Sequence, residues 1–552
     1  MKRTIFYTAD IEWKNGYRFL CGGIFDGKKY KSFKKEDDFF GALLSIRGTV
    51  FFHYLDADAH LILDYCEKKN IPHEKMPIIS GEKKIIHWKI GETTFRDSAI
   101  LTQASLKELS ESFHLKTKKI SIGSYDFKNP TKKVMQYLKN DVLALHEALT
   151  AFYRFVGWEF FNKRSIASIA LGKFKQMDSH AYRMITETTI TNPLNDFIHE
   201  AYFTSYWDSF ANELGDGEYE KWDVNSFYAA AMRDNYFPYG MVVETSNKEE
   251  LAFYLSNRIG IVEAEVRIPK GLTIGFLPLK KEGEVEYPIK GKMHGIWTTP
   301  EIEYAKELGY QFEFIYGVFW DFKEKFFKKY VSEIGRIKEH SRGAKKAIAK
   351  RLLVSLYGKF GERREVRILR RTKEPLKGHR YLDDALTICE DTIRTKKPYS
   401  HPEISAFTTA YARIMFYRFC SEIGWDRVLA VMIDSAIIRT DGLNRDFRKK
   451  WIHETKIGKF KVVSRIKDMI ILARGVYALK DENGDEIIRN QGGMPEFNKM
   501  LAWDDFKRAS RKKVWNQYKG LKRNNTVYDH LAKSASLRGF KKVHRSVKIR
   551  KK

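Results

Sequence analysis

Residues 349–360 read AKRLLVSLYGKF. They close a lysine-rich, strongly helical segment, 326–360, that is interrupted at Gly343. Lys350 and Tyr357 are seven residues apart and therefore share one helical stripe. On their own such lysines describe a solvated face as readily as a binding one. Upstream, DVNSFYAAAM at 223–232 reads as a strand running into a helix, within 220–245. Downstream, 402–422 reads as a helix, and VMIDS at 431–435 sits in a strand-turn-strand over 428–439 with Asp434 at its turn.

The chain has 552 residues, enough for roughly three or four domains and their cores. Lys plus Arg number 99 against 70 Asp plus Glu, a formal charge of +29, with 43% hydrophobic and 14% aromatic residues. That much apolar content excludes a disordered basic tail. A folded basic chain points to a polyanion, nucleic acid first; no basic amphipathic helix supports a membrane surface. Cys21, Cys66, Cys389 and Cys420 form no CxxC pair, which argues against a zinc ribbon or disulfide framework and fits a reducing cytosol. Asp10 interrupts any signal-peptide core in MKRTIFYTADIEW, and no apolar run approaches the ~20 residues of a membrane span. The expectation is a soluble cytoplasmic protein without a membrane partner.

The first 160 residues have an α/β pattern: strands at 4–11 and 17–25 around an Asn15-Gly16 turn, a strand at 48–54, a helix at 131–155. Asp10 and Glu12 are two apart on a strand and share a face. Neighbouring carboxylates repel unless a cation neutralises them, which points to Mg²⁺ or Mn²⁺. Asp56 and Asp58 follow the third strand, just before a helix. Tyr137 and Asp141 are four apart on one helix face. Asp10, Glu12, Asp58 and Asp141 make a set able to hold two metals ~3.5–4 Å apart, with Tyr137 placed to orient water: phosphodiester hydrolysis. Elsewhere, 246–325 is mixed and strand-rich, 361–400 basic and irregular, and the last fifty residues basic, with Tyr518, Tyr528 and Phe540 arguing for a folded element.

In this order TADIEW (8–13), HYLDAD (53–58) and YLKND (137–141) resemble the three exonuclease motifs of proofreading DNA polymerases, while DVNSFYAAAM, AKRLLVSLYGKF and VMIDS resemble the three polymerase motifs of family B. Order, spacing and length are similar to the protein-primed subgroup of phages, viruses and linear plasmids. The resemblance implies an α/β and α+β multidomain protein: an RNase H-like 3′–5′ exonuclease domain at 1–165 and a right hand of palm, fingers and thumb. It implies a connector and first palm part at 166–245, an insertion resembling terminal-protein region one at 246–325, and fingers at 326–360. A second insertion, of strand-displacement type, follows at 361–400, then the second palm part at 401–495 and a basic thumb at 496–552.

Residue by residue, the resemblance makes Asp223, Asp434 and the Val224 carbonyl ligands of two Mg²⁺ (or Mn²⁺). Tyr228 is the residue that rejects a 2′-hydroxyl, and Lys338, Lys346 and Lys350 hold the triphosphate. Tyr357 and Gly358 lie by the nascent base pair. Ser98 and Lys128 belong with the exonuclease strand, and Tyr202, Arg474 and Tyr477 with DNA. The implied partners are primer-template DNA, dNTPs and a terminal priming protein, bound by a monomer in the host cytoplasm. Several positions depart from the pattern. Met432 replaces the first acid of the third motif, Val354 an Asn, Ala229 a Pro and Tyr54 an exonuclease Asn. Tyr202-Phe203-Thr204-Ser205 stands for Tyr-x-Gly-Gly, and Gly475-Val476-Tyr477 for Lys-x-Tyr. Methionine is a poor Mg²⁺ ligand, so extension is expected to be weaker in Mg²⁺, to respond more to Mn²⁺, and to gain from Met432→Asp. The rivals are a nuclease with a decayed polymerase site and a DNA-binding replication factor without activity.

Overall fold

The computed structural model describes residues 5–14, 18–73, 78–79, 85–118, 120, 129–211, 213–272, 274–281, 284–371, 380–381, 388–397, 399–473, 476–490, 501–512, 514–520 and 542–548. The N-terminal sheet contains β1 (Tyr7–Lys14), β2 (Arg18–Phe25), β3 (Tyr30–Phe33), β4 (Gly48–Phe52), β5 (Ile78–Ile79), β6 (Ile85–Ile90) and β7 (Thr93–Asp97), in the order β3-β2-β1-β4-β7-β6-β5. β1, β4 and β7 run parallel and β2 antiparallel to β1, the RNase H-like arrangement. Alternation along β1 sends Ala9 and Ile11 into a core shared with α1 (Glu36–Leu44) and α2 (Leu55–Lys68). Thr8, on the other face, donates to the Val142 carbonyl of α5 (Lys132–Val156) at 2.9 Å. A Cβ on Gly22 would strike the Phe39 ring, so glycine here lets α1 lie flat on the sheet. Between β7 and α5 come α3 (Ser98–Thr102) and α4 (Leu106–Phe113). The third expected strand stops at Phe52, and Asp56 and Asp58 lie inside the first turn of α2 rather than before it. The Asn15-Gly16 turn is outside the described residues.

Three helices, α6 (Ile166–Met177), α7 (Ser179–Glu187) and α8 (Asn192–Glu200), lead to β8 (Trp207–Ser209), β9 (Tyr219–Val224) and α9 (Phe227–Asp234). Residues 246–325 are mixed, as expected. β10 (Phe237–Thr245), α10 (Lys248–Asn257), β11 (Ile259–Arg267), β12 (Leu279–Lys281), β13 (Glu284–Glu286), β14 (Lys292–Thr298), α11 (Thr299–Glu307) and β15 (Gln311–Glu324) include a sheet ordered β10-β15-β11-β14. α12 (Lys328–Glu339) and α13 (Gly343–Phe360) form the lysine-bearing helix pair. Gly343 opens α13 with a φ of +54°, and the next amide, Ala344, donates to Ser112 Oγ of α4 at 2.6 Å. The expected irregular stretch after it is instead β-structure: β16 (Arg363–Arg371), β17 (Arg380–Tyr381) and β18 (Ile388–Lys396) pair in the order β16-β18-β17. Its dense charges hide the alternation that marks a strand.

α14 (Pro402–Ile423) is buried along most of its length. It precedes β19 (Val428–Met432), β20 (Ser435–Arg439), α15 (Arg445–Trp451), β21 (Phe460–Ala473), β22 (Val476–Asp481) and β23 (Glu486–Asn490). The central sheet is ordered β23-β22-β21-β9-β20-β19-β8, with β9 held between β20 and β21. Of the basic C-terminal region, α16 (Trp503–Lys512), β24 (Val514–Gly520) and β25 (Lys542–Lys548) are described, β24 and β25 as an antiparallel pair containing Tyr518; Tyr528 and Phe540 lie outside the described residues. No helix among the described residues is long and apolar enough to cross a membrane.

Candidate functional sites

One cavity of about 1030 Å³ is lined by Asp10 and Glu12 of β1, Asp58 of α2, and Tyr137 and Asp141 of α5, with His53 and Tyr54. The predicted set is therefore brought together. Asp97 positions part of it. Its carboxylate accepts from the Tyr54 and Leu55 amides (3.3 and 3.1 Å) and the Ala99 and Ile100 amides (2.7 and 3.3 Å), so one side chain serves the first turns of α2 and α3. Burial pushes Asp97 up to about 6, against the pull of these amides. Tyr54 takes a φ of +69°, a conformation Asn tolerates better than Tyr, and is 55% exposed at the cavity.

The charges share a strong field. Burial, then repulsion from Asp10, Glu12 and Asp97, holds Asp58 well above the usual carboxylate range. Burial, then Asp141, Glu12 and Asp10, raises the Tyr137 hydroxyl, which is hydrogen-bonded to Asp141. Even the Cys21 thiol is pushed up to about 12 by burial, with Glu12 and Asp10 adding to it. Among the described residues no three His, Cys, Asp or Glu side chains stand as a finished metal cage. The four carboxylates are of the oxygen-donor type that suits a hard divalent cation, and such an ion would relieve their repulsion. Ser98 is fully buried, donating to the Phe52 carbonyl (2.8 Å) and bonded to His53 Nδ1 (2.9 Å). The imidazole, which sequence reasoning missed although it is the first residue of HYLDAD, is what reaches the cavity. Lys128 lies outside the described residues.

The second constellation is on the central sheet. The Val224 amide donates to the Asp434 carbonyl at 2.7 Å, and Asp223 is the cross-strand partner of Ser435. This register brings Asp223 and Asp434 to neighbouring positions. Burial, then repulsion from Asp223, pushes Asp434 up to about 6, while Lys350 and Lys221 oppose the rise. Lys350 and Lys346 are exposed on α13. Lys338 is 8% exposed and donates to Ser226 Oγ, at the start of α9, at 2.8 Å. Lys221 and Lys461 were not singled out in the sequence. Lys221 shares a strand face with Asp223; Lys461 Nζ is 3.3 Å from Asp223 Oδ2.

The Tyr228 and Tyr357 rings lie 4.6 Å apart, and the Tyr357 hydroxyl is hydrogen-bonded to Tyr228 and Tyr202. A Cβ on Gly358 would meet nothing within 4 Å. Arg413, fully buried on α14, donates to Glu301 Oε1 (3.0 and 2.6 Å) and to the carbonyls of Phe203 and Thr204 (3.0 and 3.1 Å). The same loop docks on the Asp434 turn: Ser205 Oγ donates to the Ile433 carbonyl at 3.2 Å, and the Ile433 amide donates to the Tyr206 carbonyl at 2.7 Å. These bonds support Ile433 at a φ of +64°, costly for a β-branched residue. Tyr477 is 8% exposed, with Lys221 Nζ 6.0 Å from its ring centre, so it belongs to the sheet's packing. Arg474 lies outside the described residues. Met432 does not occupy an open acid position: it is 7% exposed in a cluster with Tyr219, Leu429, Ile437 and Met469.

Comparison with known proteins gives these arrangements a family. A "Probable DNA polymerase" of Agaricus bitorquis is 26% identical over 483 residues, covering 77% of this chain and 56% of the fungal protein. The DNA polymerase of Bacillus phage phi29 is 26% identical over 462 residues, covering 77% of this chain and 76% of its own. The chain thus spans little more than half the length of the fungal relative. The solved structure of phi29 DNA polymerase complexed with primer-template DNA and incoming nucleotide substrates matches with a TM-score of 0.77 at 21% identity, covering 100% of both chains, a likeness of fold. The family described as "DNA polymerase type B, organellar and viral" matches residues 123–423, more than half of the sequence, and the chain belongs to that family.

Proposed function

We propose that this chain is a DNA-directed DNA polymerase with a 3′–5′ proofreading exonuclease, copying a linear viral or plasmid genome from a terminal priming protein. The observation that carries the polymerase reading is the Val224–Asp434 hydrogen bond. It sets two carboxylates side by side on the sheet within the field of Lys350. An anionic floor faced by a cationic helix suits a metal-bound triphosphate. The protein-primed reading rests on motif order and the insertions at 246–325 and 361–400. The domain divisions read from the sequence are proposed with it, and monomeric action in the host cytoplasm is part of the same proposal.

Asp223, Asp434 and the Val224 carbonyl would hold the divalent cations, Mg²⁺ with Mn²⁺ as substitute. These would supply the charge that activates a primer 3′-hydroxyl and stabilises pyrophosphate. Lys346 and Lys350 bind the triphosphate, while buried Lys338 holds Ser226 and the α9 N-terminus towards it. Tyr228 excludes a 2′-hydroxyl by volume, its ring kept in place by Tyr357. In the other cavity Asp10, Glu12, Asp58 and Asp141 would hold the metals of hydrolysis, Tyr137 orients water, and His53 and Tyr54 receive the frayed strand. The test is a labelled primer-template incubated with and without dNTPs. Elongation with dNTPs and shortening without them are expected; binding without either reaction would leave only a DNA-binding factor.

A further inference from the structure

Asp223 carries an ion pair where a metal ligand would stand open. Lys461 and Asp223 are direct cross-strand partners on β21 and β9, with Nζ 3.3 Å from Oδ2. The pair is partly open to solvent, at 36% and 20% exposure. Exposed ion pairs hold weakly and are exchangeable. A lysine also has a flexible stem and three rotatable donors, so its ammonium can change partner without a backbone shift.

Lys461 also faces the other way. Burial lowers the pKa of Lys338, and repulsion from Lys350, Lys346 and Lys461 lowers it further. The Lys461 ammonium therefore lies within the field of the fingers lysines while bound to the palm carboxylate. The third motif has Met432 where the resembled motif has an acid, which leaves Asp223 and Asp434 as the carboxylates here. Three lysines, Lys221, Lys350 and Lys461, stand near the two carboxylates and offset their repulsion before any cation arrives. A triphosphate brings the anionic oxygens that can release one of those lysines.

We propose that Lys461 is an exchangeable internal counter-ion, which holds Asp223 while the site has no nucleotide and moves to a phosphate oxygen of the incoming nucleoside triphosphate as Asp223 accepts a divalent cation. This rests on the reading of Asp223 as a metal ligand. No bond is made or broken; two ion pairs exchange partners. Lys461 thereby couples cation binding to nucleotide arrival, and its loss has two effects of opposite sign. Cation affinity without nucleotide rises, because a competitor is gone, and nucleotide affinity falls, because a donor is gone. A lysine that merely buttressed the sheet would produce neither.

The test uses the full chain with Asp10→Ala and Asp141→Ala, so that the exonuclease cavity is disabled. Mn²⁺ binding is measured without DNA or nucleotide by the paramagnetic signal of the free ion; KM for dNTP and kcat are measured on a primer-template. Lys461→Met is expected to bind Mn²⁺ about tenfold more tightly and to raise KM about tenfold, each about 1.4 kcal/mol, with kcat changed much less. Lys461→Arg, which keeps the charge, recovers most of the KM. Lys461→Gln serves if the Met variant melts early. Unchanged or weaker Mn²⁺ binding, or an unchanged KM, overturns the exchange. Asp223→Ala separates the two claims: if it extends primers normally, the metal-ligand reading itself falls. If it abolishes extension while Lys461→Met behaves as wild type, only the exchange falls.

Discussion

The amide of Val224 and the carbonyl of Asp434 are joined by a 2.7 Å hydrogen bond between β9 and the turn that follows β19. Asp223 is therefore held beside Asp434 through the main chain, so replacing either carboxylate alters chemistry more than placement. The carboxylates proposed for hydrolysis are set elsewhere, by β1, α2 and α5. The two centres are built independently, and their losses should separate.

Asp10→Ala or Asp141→Ala is expected to reduce 3′–5′ degradation of a labelled single strand by ~100-fold, the upper end of what losing a group that supports a metal costs. Extension of a matched primer should stay within about twofold. Degradation persisting at the wild-type rate in the double variant would remove the hydrolytic assignment.

Asp97→Ala removes the acceptor shared by the first turns of α2 and α3. A lost cap typically costs ~1 kcal/mol, so two should cost about 2 kcal/mol. Calorimetry should show a lower melting temperature for the N-terminal part, and degradation should fall more than extension, because Asp58 rides on α2. An unaltered melt would mean that solvent replaces the carboxylate at both helices.

For Met432→Asp, burial reverses the gain expected from the motif alone. The side chain sits among Tyr219, Leu429, Ile437 and Met469, so a carboxylate there would be desolvated without a partner, at about 3 kcal/mol or more. The variant should melt earlier and extend no faster in Mg²⁺ or Mn²⁺. A faster Mg²⁺ rate with an unchanged melt would place the residue in the metal's reach after all.

Removing the last twelve residues deletes β25, the strand partner of β24, together with a block of lysines and arginines. Duplex affinity should drop for all sequences alike, and the slope of log K against log salt should shrink by ~0.9 for each phosphate that the shortened chain no longer neutralises. Equal affinity and slope across a salt titration would make this end a bystander.

The carboxylate sets were legible because their motifs lie on periodic elements, where spacing alone assigns a shared face: Asp10 with Glu12 on a strand, Tyr137 with Asp141 on a helix. Asp97 was not, because its role depends on two helix starts converging on one strand end. Lys461 was hidden for a related reason: its pairing with Asp223 follows from the register of strands far apart in the chain. Met432 could be read as a motif position but not as a burial state, since strand alternation does not say which face meets the core. The sheet at 363–396 was missed because RREVRILRR carries too many charges to alternate visibly. Tyr54 was recognised as a departure, and its left-handed backbone gives that departure a structural meaning.

Two metal-dependent reactions are expected of one chain, with synthesis at Asp223 and Asp434. The most direct measurement follows one end-labelled primer-template, with Mg²⁺, in wild type, Asp434→Ala and Asp10→Ala. Wild type should lengthen the primer with dNTPs and shorten it without them. Asp434→Ala should only shorten it, and Asp10→Ala only lengthen it. An Asp434→Ala protein that still elongates, or a wild-type protein that elongates with neither Mg²⁺ nor Mn²⁺, would contradict the account.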